Sequence, residues 1–159
     1  VIGTILLVGI TVVLAATLYL MAFGFGGNST NLPPTANFTR SSVADGFKWT
    51  FTPFSKDTTW SDIYIILDSG PSAIAFDNMT GPSMTGSPNM VVSFGSRDLG
   101  NLTVFMNATD LAGNGYVNQG DSLTLTTSGG AFQTTVNYEI HLMHRGSGAQ
   151  IVSMIFQGA

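Results

Sequence analysis

The sequence predicts an α+β chain: a long N-terminal hydrophobic helix followed by an all-β antiparallel sandwich (Ig-like) domain. Three observations carry this reading. Residues 1–27, VIGTILLVGITVVLAATLYLMAFGFGG, contain no charged side chain. Residues 28–36, NSTNLPPTA, are polar and hold a double proline, as a linker does. From residue 37 to residue 159 the apolar residues recur every second position, the period of a strand with one face in a core.

The first element is apolar on every side from Val1 to Phe23, so it has no stripe with which to lie on a surface. In lipid or in a packed bundle every backbone polar group must be bonded internally, which selects helix despite the Val, Ile and Thr content. About 20 apolar residues suffice to span a bilayer. A secretory signal has a basic n-region and an apolar core of about 7–15 residues; this run is longer, and the first Lys or Arg is Arg40. A charge-free start at valine is what removal of a short basic leader leaves when the hydrophobic segment is kept. Gly24, Gly26 and Gly27 then break the helix.

The strands follow in order. Phe47, Trp49 and Phe51 alternate with Lys48, Thr50 and Thr52. Ile63, Ile65 and Leu67 share one face of DIYIILD, and Leu102, Val104 and Met106 one face of NLTVFMN. Leu123 and Leu125 mark DSLTLTT; Val136, Tyr138, Ile140 and Leu142 mark a long strand; Val152, Met154 and Phe156 mark a last one. Gly, Pro, Asn and Ser clusters separate them, which gives seven or eight strands and no second helix.

Composition narrows the function. Charged residues make up 9% of the 159, and the net charge is −4. The five basic residues, Arg40, Lys48, Lys56, Arg97 and Arg145, are scattered, whereas nucleic-acid binding needs them clustered. Cysteine is absent, which excludes disulfides, thiolate metal sites and Cys nucleophiles. Asn28, Asn37, Asn78, Asn101 and Asn107 each open an N-x-[ST] triplet and are candidate glycosylation acceptors.

Four other patterns invite chemistry. Gly120–Leu123 reads GDSL, the tetrapeptide of a serine hydrolase family, but the D-x-x-H that supplies that family's base and acid is missing, and the tetrapeptide opens a strand. His141 and His144 lie three apart on a strand and so point to opposite faces, which keeps them from converging on one ion. Asp57, Trp60 and Asp62 could form a carbohydrate platform, although a Trp beside a strand start is usually core. Asp110–Asp121 has the length of an EF-hand loop, with Asp110, Asn114, Asn118 and Asp121 as weak calcium candidates. Ala112 removes one ligand, Asp121 replaces the bidentate Glu, and an Asn-Gly turn accounts for the same residues. No cofactor and no catalytic residue is expected.

The run VIGTILLVGITVVLAATLYL resembles the N-terminal segment of archaeal type IV pilins. TTWSDIYIILDSG, the Gly-Asn-Gly turn running into GDSLTLTT, and YEIHLMHRGSGAQIVSMIF more loosely resemble the group's β-domain. The resemblance implies export as a precursor with transient membrane insertion, cleavage by a prepilin peptidase, and polymerisation by the pilus assembly machinery into a surface filament of identical subunits. It marks Val1, Ile2, Ile5, Leu6, Ile10, Val13, Leu14, Leu18 and Met21 as the polymerisation helix. Bacterial type IV pilins carry Glu at the fifth mature position; Ile5 stands there in this chain, so assembly has to come from apolar packing. The alternatives are an archaellum filament subunit and a membrane-tethered binding ectodomain that never polymerises.

Overall fold

In a computed structural model, residues 2–24, 32–77 and 82–158 are described, with the backbone alone given for residues 16–24. The chain divides into two compact units, Val1–Leu32 and Pro33–Ala159.

The first unit holds α1, Ile2–Gly24, whose backbone is helical over 23 residues. Its side chains are described over residues 2–15, about 14 residues, so the long helix that the sequence predicts is met only in part. At 1.5 Å per residue the 23-residue helical backbone is about 35 Å long. Among the described residues no helix is long and apolar enough to cross a membrane. Inside α1 the Thr11 hydroxyl donates to the Val8 carbonyl at 2.9 Å, the back-bonding that lets a hydroxyl sit in apolar surroundings with its proton engaged. Residues 25–27 of the predicted helix and 28–31 of the predicted linker lie outside the described residues.

The second unit is two antiparallel sheets. Six strands run in the order β1-β2-β8-β7-β6-β5, where β1 is Phe38–Val43, β2 Gly46–Phe51, β5 Ser83–Thr85, β6 Met90–Leu99, β7 Leu102–Asp110 and β8 Ser122–Ser128. Four run in the order β10-β9-β3-β4, where β3 is Ile63–Asp68, β4 Ala73–Phe76, β9 Asn137–His144 and β10 Ala149–Gln157. The described residues therefore hold ten strands, more than the seven or eight expected, plus a single 3-10 turn at Trp60–Asp62. The additions are β1, whose inner residues are polar and exposed at a sheet edge, the short β4 and β5, and β6. In β6 a bulge between Ser93 and Gly95 breaks the alternation, and Gly95 takes φ 93°, a conformation costly for any side chain.

One core lies between the sheets. Phe47, Trp49 and Phe51 of β2, Val104 and Met106 of β7, and Leu123 and Leu125 of β8 are buried against Ile63, Ile65 and Leu67 of β3, Ile140 and Leu142 of β9, and Met154 and Phe156 of β10. Phe156 is the hub of an aromatic cluster, its ring centroid 4.8 Å from that of Phe47, 5.1 Å from Phe132, 5.3 Å from Tyr138 and 5.4 Å from Trp49. On β10 a bulge between Gln150 and Val152 turns Ile151 inward, so Ile151 is buried and Val152 only half-buried, a one-residue departure from the simple alternation. Arg40 lies over the Phe47 ring at 5.7 Å and reaches the Ile155 carbonyl, tying β1 of the larger sheet to β10 of the smaller.

The strand directions put the turns at two ends. Residues 33–37, 52–60, 86–89, 110–121 and 145–148 lie at one end; the turns at 44–45, 69–72, 100–101 and 129–136 lie at the other.

Candidate functional site

The predicted polymerisation surface is an exposed apolar helix. Ile2, Ile5, Leu6, Ile10, Val13 and Leu14 are all exposed, from 50% at Ile10 to 82% at Ile2. Leu7, Val8 and Val12, which the sequence reading did not single out, are exposed to a similar degree, so no one stripe of the helix is privileged. Val1 lies outside the described residues, and at Leu18 and Met21 the helical backbone alone is described. Exposed side chains of this kind gain about 1.5–3 kcal/mol each when fully removed from water.

The second candidate, the 110–121 loop, brings Asp110, Asn114, Asn118 and Asp121 together. Both Asp side chains are fully buried, and each of their oxygens receives a backbone N–H. Gly113 and Gly115 donate to the two oxygens of Asp110 at 2.7 Å each. Leu111 donates to Asp121 Oδ1 at 2.9 Å and Asn118 to Asp121 Oδ2 at 2.7 Å. Asn114 Oδ1 accepts from the Tyr116 N–H at 2.9 Å and from the Asn118 carboxamide at 3.0 Å. The oxygens that calcium would require thus serve as anchors for the loop's own amides. Burial holds the Asp121 carboxyl above its ordinary value, the Asn118 and Leu111 N–H groups oppose that rise, and the nearby Asp110 carboxylate adds to it.

The loop is also tied to its surroundings. Trp60 donates its backbone N–H to Gly115 O at 3.0 Å, Val117 to Thr58 O at 2.8 Å, Gly120 to Phe51 O at 3.0 Å, and Phe51 to Asp121 O at 2.8 Å. Leu111 and Tyr116 stand exposed on this fixed framework.

The remaining sequence candidates fall apart spatially. Trp60 is wholly buried, packed against Phe51 and Phe94, and offers no ring face to a sugar. Asp62 accepts the Thr59 hydroxyl at 2.7 Å, while Asp57 is exposed. Ser122 of GDSL is buried between Thr50 and Thr109 in the larger sheet, whereas His141 and His144 belong to β9 in the smaller one. His141 Nδ1 lies 2.9 Å from Gln150 Oε1, and His144 Nδ1 lies 2.9 Å from Ser147 Oγ. Among the described residues no group of three or more His, Asp or Glu side chains is placed to hold a metal ion. Of the glycosylation candidates, Asn37 and Asn101 are exposed, Asn107 is half-buried in the middle of β7, and Asn28 and Asn78 lie outside the described residues.

The described side chains of α1 are apolar and exposed, and the β-domain has a buried core of its own. Residues 1–37 match the family described as archaeal type IV pilin, N-terminal. The matched stretch takes in α1 and ends just before β1. No curated protein matches the chain in sequence.

Proposed function

We propose that this chain is the structural subunit of an extracellular archaeal type IV pilus and that it polymerises through α1. The observation that carries the reading is the run of helix residues 2–15, each one exposed and none of them charged. Lipid tails are as apolar as these side chains, so leaving the membrane for a bundle of like helices gains no hydrophobic free energy in itself, and the assembly machinery has to drive that step. Once outside, returning the helix to water costs about 1.5–3 kcal/mol per large side chain, which sums to tens of kcal/mol as an upper bound. Head-to-tail contacts that do not close into a ring then give an open helical polymer.

In this reading a prepilin peptidase removes a short leader and leaves the helix attached. The precursor waits in the cytoplasmic membrane, and the Ig-like β-domain forms the outer coat. That coat is poor in charge and rich in Thr, Ser and Asn, which suits contact with cells or surfaces more than ion-driven binding. Adhesion is therefore the proposed role, in preference to an archaellum.

Negative-stain microscopy of filaments sheared from the producing cells, labelled with antibody against the β-domain, tests this. Label along the filament shaft is the expected result. Finding the chain only in detergent-solubilised membrane would overturn polymerisation and leave the tethered ectodomain.

A further inference from the structure

We propose that Asn101 carries an N-linked glycan whose first sugars lie in a cavity of the β-domain that Asn101 itself borders. This inference rests on the export that the subunit reading entails, and on nothing else in that reading.

The cavity, about 460 Å³, opens at the end of the sandwich that holds the 69–72, 100–101 and 129–136 turns, away from residues 33–37 where the chain enters the domain. Its size falls within the range of about 300–1,000 Å³ typical of small-molecule sites. No charged residue lines it. Leu102 and Val136 give an apolar floor; Ser69, Ser72 and Gln133 give hydroxyl and amide groups. An uncharged wall of this composition suits a neutral saccharide, which offers C–H faces and hydroxyls, and gives a free anion or cation nothing to pair with.

Asn101 is at the rim. It is the second residue of the two-residue turn between β6 and β7, in which Gly100 takes φ 64°, and its side chain is exposed. Among the described residues no hydrogen bond engages its carboxamide, so attaching a sugar there breaks no contact of the fold. The Thr103 hydroxyl that completes the triplet donates to Asp98 Oδ1 at 2.9 Å.

The other described acceptors lack this combination. Asn37 is exposed too, but borders a cavity of only about 170 Å³. Asn107 is half-buried in an interior strand, paired with Ser93 of β6 and Thr124 of β8. A glycan is bulky and belongs on an accessible turn.

The test is mass spectrometry of the full chain purified from the producing organism. Trypsin releases residues 98–145 as one peptide holding both Asn101 and Asn107, so the Asn101→Gln and Asn107→Gln variants are expressed alongside. The expected result is a sugar mass on this peptide that Asn101→Gln abolishes and Asn107→Gln leaves. An unmodified peptide, or a mass that survives Asn101→Gln, overturns the site. The seating is read by hydrogen exchange. Gln133 donates its amide to the Tyr138 hydroxyl and Val136 to the Gln133 carbonyl, and both amides should exchange several-fold more slowly in the glycosylated chain than in Asn101→Gln. Equal rates would mean that the glycan projects into solvent and would overturn the seating. Labelled filaments with an unmodified Asn101 overturn this inference alone; a modified Asn101 without filaments overturns the subunit reading alone.

Discussion

The two units of this chain solve the problem of apolar surface in opposite ways. The β-domain closes on itself: the inward residues of its central strands are almost wholly removed from water, and even its two buried carboxylates are saturated by backbone donors. The helix buries nothing of the kind over residues 2–15, although none of those residues is charged. One unit is a finished fold; the other, in the proposed reading, is half of an interface. If the proposed assembly holds, the difference teaches that stability and assembly are encoded separately, so a substitution should damage one and spare the other.

The largest effect is expected in the helix. Ile10→Lys or Leu14→Asp puts a charge where neighbouring helices would pack, and burying an unpaired charge is prohibitive. Filaments should be absent from sheared fractions, while a fragment spanning residues 33–159 of the unmutated chain should still unfold cooperatively in urea. Intact filaments from either variant would break the comparison, and so would a fragment that fails to fold. The next largest effect is expected in the core. Phe156→Ala removes the ring that touches four other aromatics, and such truncations cost about 3–5 kcal/mol. The midpoint in urea should fall steeply, with the slope of the transition unchanged. A loss under about 1 kcal/mol would show that the aromatic cluster rearranges to fill the space.

What the sequence revealed follows the same division. The inward faces of β2, β3, β7, β8 and β9 were legible because an apolar residue at every second position has one physical reading when one sheet face is dry. β1 was not, since Arg40, Ser41 and Ser42 follow the rule for an exposed edge, where charge and polarity discourage pairing with other chains. β6 was hidden by the bulge at Gly95, which shifts the inward residues from Val92 and Phe94 to Leu99. The 110–121 loop was recognisable by its spacing of Asp and Asn, but the spacing alone does not reveal which way the amides point. The structure aims them at the carboxylates. The cavity beside Asn101 was illegible for another reason: it is assembled from turns at 69–72, 99–102 and 131–138, and sequence periodicity carries no information about which turns meet.

A smaller effect sharpens the claim that the β-domain is finished. Asp110→Ala leaves the Gly113 and Gly115 amides without their acceptor in a loop pinned on both sides. Gly113 and Gly115 are half-buried, so their donors lose part of the roughly 1–3 kcal/mol that a fully buried unsatisfied donor costs, and a loss of about 1–3 kcal/mol in all is expected in the 33–159 fragment. Filament assembly of the full chain should persist at temperatures where the variant domain is still folded. A stability equal to that of the unmutated chain would show that water replaces the carboxylate without penalty.

The smallest effect concerns pH, and its sign separates two contributions at Asp121. Burial and the Asp110 charge raise this carboxyl above 3.8, while the Asn118 and Leu111 donors pull it down, and burial prevails. Below pH 3.8 the folded and unfolded states both hold the proton, and ionisation costs nothing. As pH rises from there, the unfolded chain releases its proton first; the folded chain then binds more protons than the unfolded one, and stability falls until the folded carboxyl has also ionised. The Asp121→Asn variant lacks this titration. It also turns an –NH2 toward one of the two amide donors, so it should be less stable than the unmutated chain at every pH. The gap between them should therefore be widest just below pH 3.8 and narrow as pH rises through the raised value, a comparison that urea titrations of the two chains at a series of pH values can make. A gap that widens with pH over that window would mean that the amide donors outweigh burial, and that the ionised carboxylate holds the loop more tightly than the neutral acid.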